Sequence, residues 1–272
     1  MAILRTTLLL GILTAILLGF GFLLGGTGGV VMAFGLALVI NFASYWFSDK
    51  IVLGIYRAQP LKDSKIERIV QKIAKGAGIP VPKLYFVDLP VPNAFATGRD
   101  PAHAAVAVTR GLKELMNEEE IEGVLAHEIS HIKNRDTLIS TIAATVGGAI
   151  SFLANMAWWL SLGGDSRKGG FIYLLPLVIL APIAAALVQM AISRGRELQA
   201  DYTGALITKN PLGLASALQK LGAAAKAHPI KGNPASAHLW IVNPFSAGFI
   251  SNMFSTHPPI EERIKRLREM KK

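Results

Sequence analysis

Four long apolar runs limit what this chain can fold into. The first covers roughly residues 6–24, the second 28–47, the third 138–162 and the fourth 171–192. The first carries no charged residue and is long enough to cross ~30 Å of hydrocarbon as a helix. Arg5 in front of it resembles the basic start of a signal peptide. The apolar stretch is too long for one, however, and no small-x-small cleavage site follows, so an uncleaved first helix is expected. Residues 25–29, Gly-Gly-Thr-Gly-Gly, are an uncharged link, which predicts a transmembrane hairpin. A short polar loop at 163–170, with Asp165, Arg167 and Lys168, joins the second pair. Gly147, Gly148, Pro176 and Pro182 interrupt that pair, and membrane helices tolerate such residues. A buried hairpin of a soluble core is the alternative for it.

Only 17% of the 272 residues are charged, against about 25% in ordinary soluble domains, as four spans would require. The net charge is +10, yet no basic stripe is interleaved with aromatics, so nucleic acid is not an expected partner. The basic residues instead flank the apolar runs. Arg5, Lys50, Arg57, Lys62, Lys65, Arg68, Arg194 and Arg196 fall on one side, and only Arg167 and Lys168 on the other. Positive charge marks the cytoplasmic side, so both termini and residues 48–137 are expected there. The chain has no cysteine, which excludes disulfides and thiolate metal sites.

Between the hairpins stands His127-Glu128-Ile129-Ser130-His131. Two imidazoles four residues apart share one side of a helix and can bind one metal ion. Glu128 then lies beside the metal, where it can take a proton from water. A catalytic zinc normally has three protein ligands and one open position. The best third candidate is Glu197, two membrane crossings further on, and an even number of crossings returns the chain to the same face. Asp201, one helical turn beyond, could accept the free ring N–H of a ligand histidine. The alternative is that Glu197 and Asp201 merely pair with Arg194, Arg196 or other bases at a membrane boundary.

The soluble parts read as mixed structure. Residues 63–75 form an amphipathic helix capped by Asp63, with Ile66, Ile69, Val70 and Ile73 as its apolar stripe. Residues 83–87, 93–97 and 104–109 read as strands. Asn117 and Glu120 begin the helix that carries His127 and His131. Asn210-Pro211 opens another helix, and a basic helix covers about 259–270. Residues 229–253 are loop-rich and long enough to act as a cover.

The sequence resembles the HtpX family of membrane zinc proteases, related to the CAAX prenyl proteases. The resemblance rests on residues 127–131, on Glu197-Leu198-Gln199-Ala200-Asp201, and on three further stretches, 92–98, 106–112 and 255–259. It implies one zinc per chain held by His127, His131 and Glu197, Glu128 as general base, and Asp201 as a partner behind a ligand. It also implies an edge strand at Asn93, Ala94 and Phe95 that pairs with extended substrate. His257 resembles a family histidine that stabilises the oxyanion, and Arg263 supports that region; from the residues alone His257 serves equally as a cap of the last helix. His103, His228 and His238 are expected to be non-ligands.

The expected protein is thus α+β and mainly α, with four transmembrane helices and a cytoplasmic catalytic domain carrying a small β-sheet. Residues 1–48 and 138–192 are the membrane hairpins, and 49–137 and 193–272 the two catalytic halves. Its expected activity is endopeptidase cleavage of misfolded or damaged membrane proteins at the cytoplasmic face of the cell inner membrane, under stress. The same ligands would serve a hydrolase of lipid-linked molecules. A metal that only staples two helices would need a fourth protein ligand, and none is evident.

Overall fold

The computed structural model describes residues 2–140, 142, 194–227, 239–242 and 258–270. The third and fourth apolar runs lie almost wholly outside them, as do His228, His238 and His257. The chain divides into two compact units, Met1–Trp46 with Ile142–Ala191 and Phe47–Thr141 with Ile192–Lys272.

In the first unit, helix α1 (Ala2–Trp46) is broken at Gly25 and Gly26, whose φ/ψ values of −147°/17° and 55°/−140° are not helical. A positive φ is cheap only for glycine, so the Gly-rich link is where the chain can reverse. The two limbs then touch backbone to backbone. A Cβ on Gly29 would overlap the Gly21 carbonyl, and one on Gly21 would overlap Gly29. Asn41 Nδ2 donates to Thr14 Oγ1 at 2.8 Å across the limbs, and the Thr14 hydroxyl donates back to Leu10 O. Small residues and one interhelical hydrogen bond are how helices associate in lipid, where apolar contact gives little preference. Residues Thr6–Leu23 and Gly25–Trp46 are each long and apolar enough to cross a membrane.

The second unit is helical around a small mixed sheet. Its elements begin with α2 (Ser48–Ile55), β1 (Gln59–Pro60), α3 (Ser64–Ala77), β2 (Lys83–Val87) and β3 (Ala94–Gly98). A 3-10 turn (Pro101–His103) and β4 (Ala104–Thr109) follow, then α4 (Arg110–Leu115) and α5 (Glu118–Lys133). The later helices are α6 (Arg194–Thr208), α7 (Pro211–Ala227) and α8 (Ile260–Glu269). The sheet order is β1-β2-β4-β3, parallel between β2 and β4 and antiparallel elsewhere. β1 is a two-residue edge strand containing a proline, a position where the missing N–H costs no ladder bond.

Every residue of β3 and β4 is buried, because both sheet faces are covered. One face presents Ala94, Ala96, Val106 and Val108 to a core shared with Ile66, Val70 and Ile73 of α3 and Leu125 and Ile129 of α5. The other presents Phe95, Ala105 and Ala107 to Val52 and Leu53 of α2 and to Leu239 and Trp240. The α3 stripe is therefore core, as its spacing predicts. Asp63 caps that helix through Lys65 N and Ile66 N, and Gly78 ends it with φ 70°.

Candidate active site

α5 starts from a capping box. Asn117 accepts from Glu120 N and Glu120 accepts from Asn117 N, each at 2.9 Å. Glu120 also accepts from Ser216 Oγ at 2.6 Å and Lys220 Nζ at 2.7 Å, which fixes α7 on the head of α5. Two glycines let the helices approach closely. A Cβ at Gly123 would sit 2.6 Å from Leu214 N, and one at Gly204 would sit 3.0 Å from His127 N. The approach of α6 at Gly204 sets its Glu197 and Asp201 beside the two histidines of α5.

The three candidate ligands meet at one point. His127 Nε2 lies 3.2 Å from His131 Nε2, with the rings nearly perpendicular at 89°. Glu197 Oε2 lies 3.5 Å from His127 Nε2, and Glu197 Oε1 3.4 Å from His131 Nε2. Each histidine faces a different oxygen of the one carboxylate, at separations comparable to those between the ligand atoms of a zinc ion bound at ~2.0–2.2 Å. The three residues thus fit one metal ion, and among the described residues they are the group so arranged.

The supporting groups are buried charges in a chain. His127 Nδ1 sits 2.9 Å from Asp201 Oδ1, within ion-pair range but not aligned as a directed hydrogen bond. Arg263 grips Asp201 bidentately, Nε to Oδ2 and Nη2 to Oδ1, both at 2.8 Å, and its Nη1 donates to Ile241 O at 3.1 Å. Burial would depress the His127 imidazolium, yet Asp201 and Glu197 outweigh it and raise its pKa to about 10 in the metal-free protein. Burial likewise opposes ionisation of Asp201, but the Arg263 charge and hydrogen bonds pull its carboxyl down to about 2. For His131, too, Glu197 and Asp136 raise the pKa against burial.

Glu128 is buried, and its Oε2 accepts from Ala96 N at 2.8 Å. Burial raises its carboxyl pKa, with the two histidines pulling the other way. A carboxylate moved toward neutrality, held by one amide beside a metal-sized gap, is suited to taking and returning a proton.

The remaining expected site residues are placed as follows. Asn93 is a clamp. Its Nδ2 donates to Leu239 O at 2.9 Å, its Oδ1 accepts from Ile241 N at 3.1 Å, and its backbone pairs with Thr109. Since Asn93 faces β4 and Ala96 N faces Glu128, strand alternation turns Phe95 to β4 and Ala94 and Ala96 to the free edge. Of the three residues expected at the substrate edge, Ala94 thus points its backbone there, and Ala96 joins it. Arg263, expected to support the oxyanion region, is wholly buried, with Nη2 3.5 Å from His127 Nε2 and Nη1 3.7 Å from Glu197 Oε2. His103 pairs with Asp100 at 2.8 Å on the surface, away from the ligands. Sequence reasoning did not single out Asp136. Its Oδ2 lies 3.3 Å from His131 Nδ1, and its place beyond the end of α5 gives no periodic signal.

Comparison with known proteins extends this geometry to the whole chain. Residues 60–271 match the model of peptidase family M48. A protein named Protease HtpX homolog from Syntrophobacter fumaroxidans is 52% identical, the alignment covering 98% of each chain. One of the same name from Pyrococcus furiosus is 55% identical, over 98% of this chain and 95% of its own. The crystal structure of S. mikatae Ste24p shares the fold, with a TM-score of 0.55 at 18% identity, covering 94% of this chain and 62% of that one. With the family model matched over most of its length and relatives above half identity from end to end, this chain is a metalloprotease and belongs to peptidase family M48.

Proposed function

We propose that the protein is a zinc endopeptidase of the inner membrane that cuts misfolded or damaged membrane proteins at the cytoplasmic face. The observation that carries this is the convergence of His127 Nε2, His131 Nε2 and the Glu197 carboxylate, whose two oxygens each face one histidine, in a group compact enough for one metal ion, with Glu128 on the same helix as the histidines. His127, His131 and Glu197 would hold the ion. When bound, zinc would supply Lewis acidity toward water and the scissile carbonyl. Glu128 takes a proton from the attacking water and delivers it to the leaving amine, and the Ala96 amide keeps its carboxylate aimed. Asp201, backed by Arg263, orients the His127 ring. The edge at Ala94, with the Ala96 carbonyl, pairs with an extended substrate segment through backbone hydrogen bonds, while the Ala96 amide stays with Glu128. β3 is wholly buried, so that pairing needs movement of what covers it. Residues 239–242, pinned by Asn93 and Arg263, pack on the Phe95 side of the sheet.

The membrane assignment draws on the chain order. α5 leads within five residues into the run 138–162, and the run 171–192 leads into α6. Residues 1–48 and 138–192 then form two hairpins, and 49–137 and 193–272 the catalytic halves between and after them. The basic flanks support a cytoplasmic position for the termini and the site. Substrates whose cleavable segments lie near the bilayer suit such a site.

The test uses purified full-length protein in detergent, with zinc content and casein cleavage as readouts. Wild type is expected to carry one zinc and cleave. Glu128→Gln keeps the zinc and loses cleavage, whereas Glu197→Ala loses the zinc. Cleavage retained by Glu128→Gln would remove Glu128 from its role. Faster turnover of a lipidated peptide than of an unmodified membrane protein would shift the substrate class to lipid-linked molecules.

A further inference from the structure

We propose that Asp136 and Arg196 form a second positioning relay, which holds the His131 imidazole as Asp201 and Arg263 hold that of His127. This rests on His131 serving as a zinc ligand. Its Nε2 faces His127 Nε2 and Glu197 Oε1, so Nε2 is the atom turned to the ion. A neutral imidazole that ligates through one nitrogen carries its proton on the other, and that N–H needs an acceptor. The group facing Nδ1 is Asp136, with Oδ2 at 3.3 Å. The other oxygen of that carboxylate lies 3.4 Å from Arg196 Nη1. Arg196 directly precedes Glu197 on α6, so one turn of helix supplies both a ligand on one side of the His131 ring and the cation behind the carboxylate on the other.

The backbone is built to deliver Asp136 there. α5 ends with Asn134 N donating to Ser130 O and Arg135 N to Ile132 O, each at 3.0 Å. Arg135 takes φ 59°, a left-handed conformation that is unfavourable for a non-glycine residue. That turn reverses the chain so that residue 136 comes back beside residue 131. Thr137 Oγ1 then donates to Gly98 O at 2.9 Å and ties the returning segment to the end of β3. Asp136 and Thr137 are both buried. The two relays are alike in composition, each a histidine, an aspartate and an arginine; both draw on α5 and α6, with Arg263 of α8 completing the first and Asp136 beyond α5 the second.

The experiment is zinc affinity by chelator competition on full-length protein, with thermal unfolding of the metal-free form beside it. Asp136→Ala is expected to weaken zinc roughly 10–100-fold, the usual effect of removing a group behind a ligand. The metal-free midpoint falls as well in Asp136→Ala, which strips a buried carboxylate from Arg196, so the comparison that separates positioning from folding is zinc affinity in Asp136→Asn, whose metal-free midpoint is expected to stay within a few degrees of wild type. Asp136→Asn keeps an acceptor oxygen and falls between wild type and Asp136→Ala. Arg196→Gln, one residue further from the imidazole, gives a smaller loss of the same sign. Asp136→Asn and Arg196→Gln carry the test if Asp136→Ala does not fold. Wild-type protein that binds zinc tightly, with unchanged affinity in the variants, overturns this relay and leaves the metal site standing. Wild-type protein that takes up no zinc overturns both.

Discussion

At the scale of single residues, the site is a set of buried charges that exist only because each has a partner. Arg263 shows the dependence most sharply. Its guanidinium is fully buried against Asp201, with Glu197 at 3.7 Å. Arg263→Met leaves two acidic groups facing the core without their cation, a change that costs ~3–5 kcal/mol. In a protein of this size that lowers the thermal midpoint by roughly 10 °C, measurable by differential scanning fluorimetry. The pH dependence follows from the same groups. Asp201 is depressed to about 2, so its contribution is complete above the unfolded carboxyl value near 3.8 and is lost as pH falls through 2. His127 is raised to about 10 in the metal-free protein, so its contribution is complete below 6.5 and is lost as pH rises through 10. Zinc needs a neutral imidazole and competes with that proton. Metal-free protein should therefore lose thermal stability between pH 6.5 and 10, while zinc affinity rises over the same range. Titration calorimetry at several pH values, in buffers of different ionisation enthalpy, would show protons released on zinc uptake. Affinity independent of pH would remove the His127–Asp201 pair from the account.

At the scale of elements, the site depends on how closely α6 lies on α5, and glycine decides that distance. A side chain at Gly204 would press on the His127 backbone. Gly204→Val should move α6 outward and separate Glu197 from the histidines. Zinc affinity is expected to fall at least tenfold, with a stability loss of ~1–3 kcal/mol from overpacking, read by chelator competition and chemical unfolding. Gly123→Ala, against Leu214, should show the stability loss with a smaller effect on zinc, because it loosens α7 rather than α6. Much of this level was legible in the sequence. The i, i+4 histidines, the Asp63 cap, the Asn117 and Glu120 capping box and the α3 stripe are local patterns that backbone geometry enforces. What could not be read depends on groups far apart in the chain. The Asn93 amide clamps residues 239–241, nearly 150 positions away, and no spacing rule joins them. Arg263 meets Asp201 across 62 positions and reads, alone, as one base on a basic helix. Asp136 was hidden for another reason, since its position depends on the positive φ of Arg135, a residue type that does not announce a left-handed turn. The parallel pairing of β2 with β4 was equally silent, because strand patterns give no direction.

At the scale of the whole molecule, the reading depends on crossing number. Glu197 can join His127 and His131 only if the chain between them leaves and returns to one side, so residues 138–192 must make an even number of passes or none. In the proposed orientation the basic flanks would set the side: with about 1 kcal/mol per Lys or Arg near an anionic leaflet, the excess around 50–68 and 194–196 would outweigh Arg167 and Lys168. The absence of cysteine makes this directly measurable, because any thiol introduced is the only one present. Thr27→Cys in the Gly-rich link and Ser166→Cys in the loop 163–170 should react with a membrane-impermeant maleimide added outside intact cells or spheroplasts. Ser64→Cys, at the exposed start of α3, should react only after the membrane is opened. Thr27 stands at the start of the candidate span Gly25–Trp46 and Ser64 beyond its end, so if that span crosses they differ whatever the orientation of the whole. Labelling of Ser166→Cys together with Ser64→Cys, and not with Thr27→Cys, would mean that the second pair of apolar runs does not cross. The metal site would survive that outcome, since no crossing also leaves Glu197 on the side of the histidines, but the catalytic unit would then be anchored by a single hairpin.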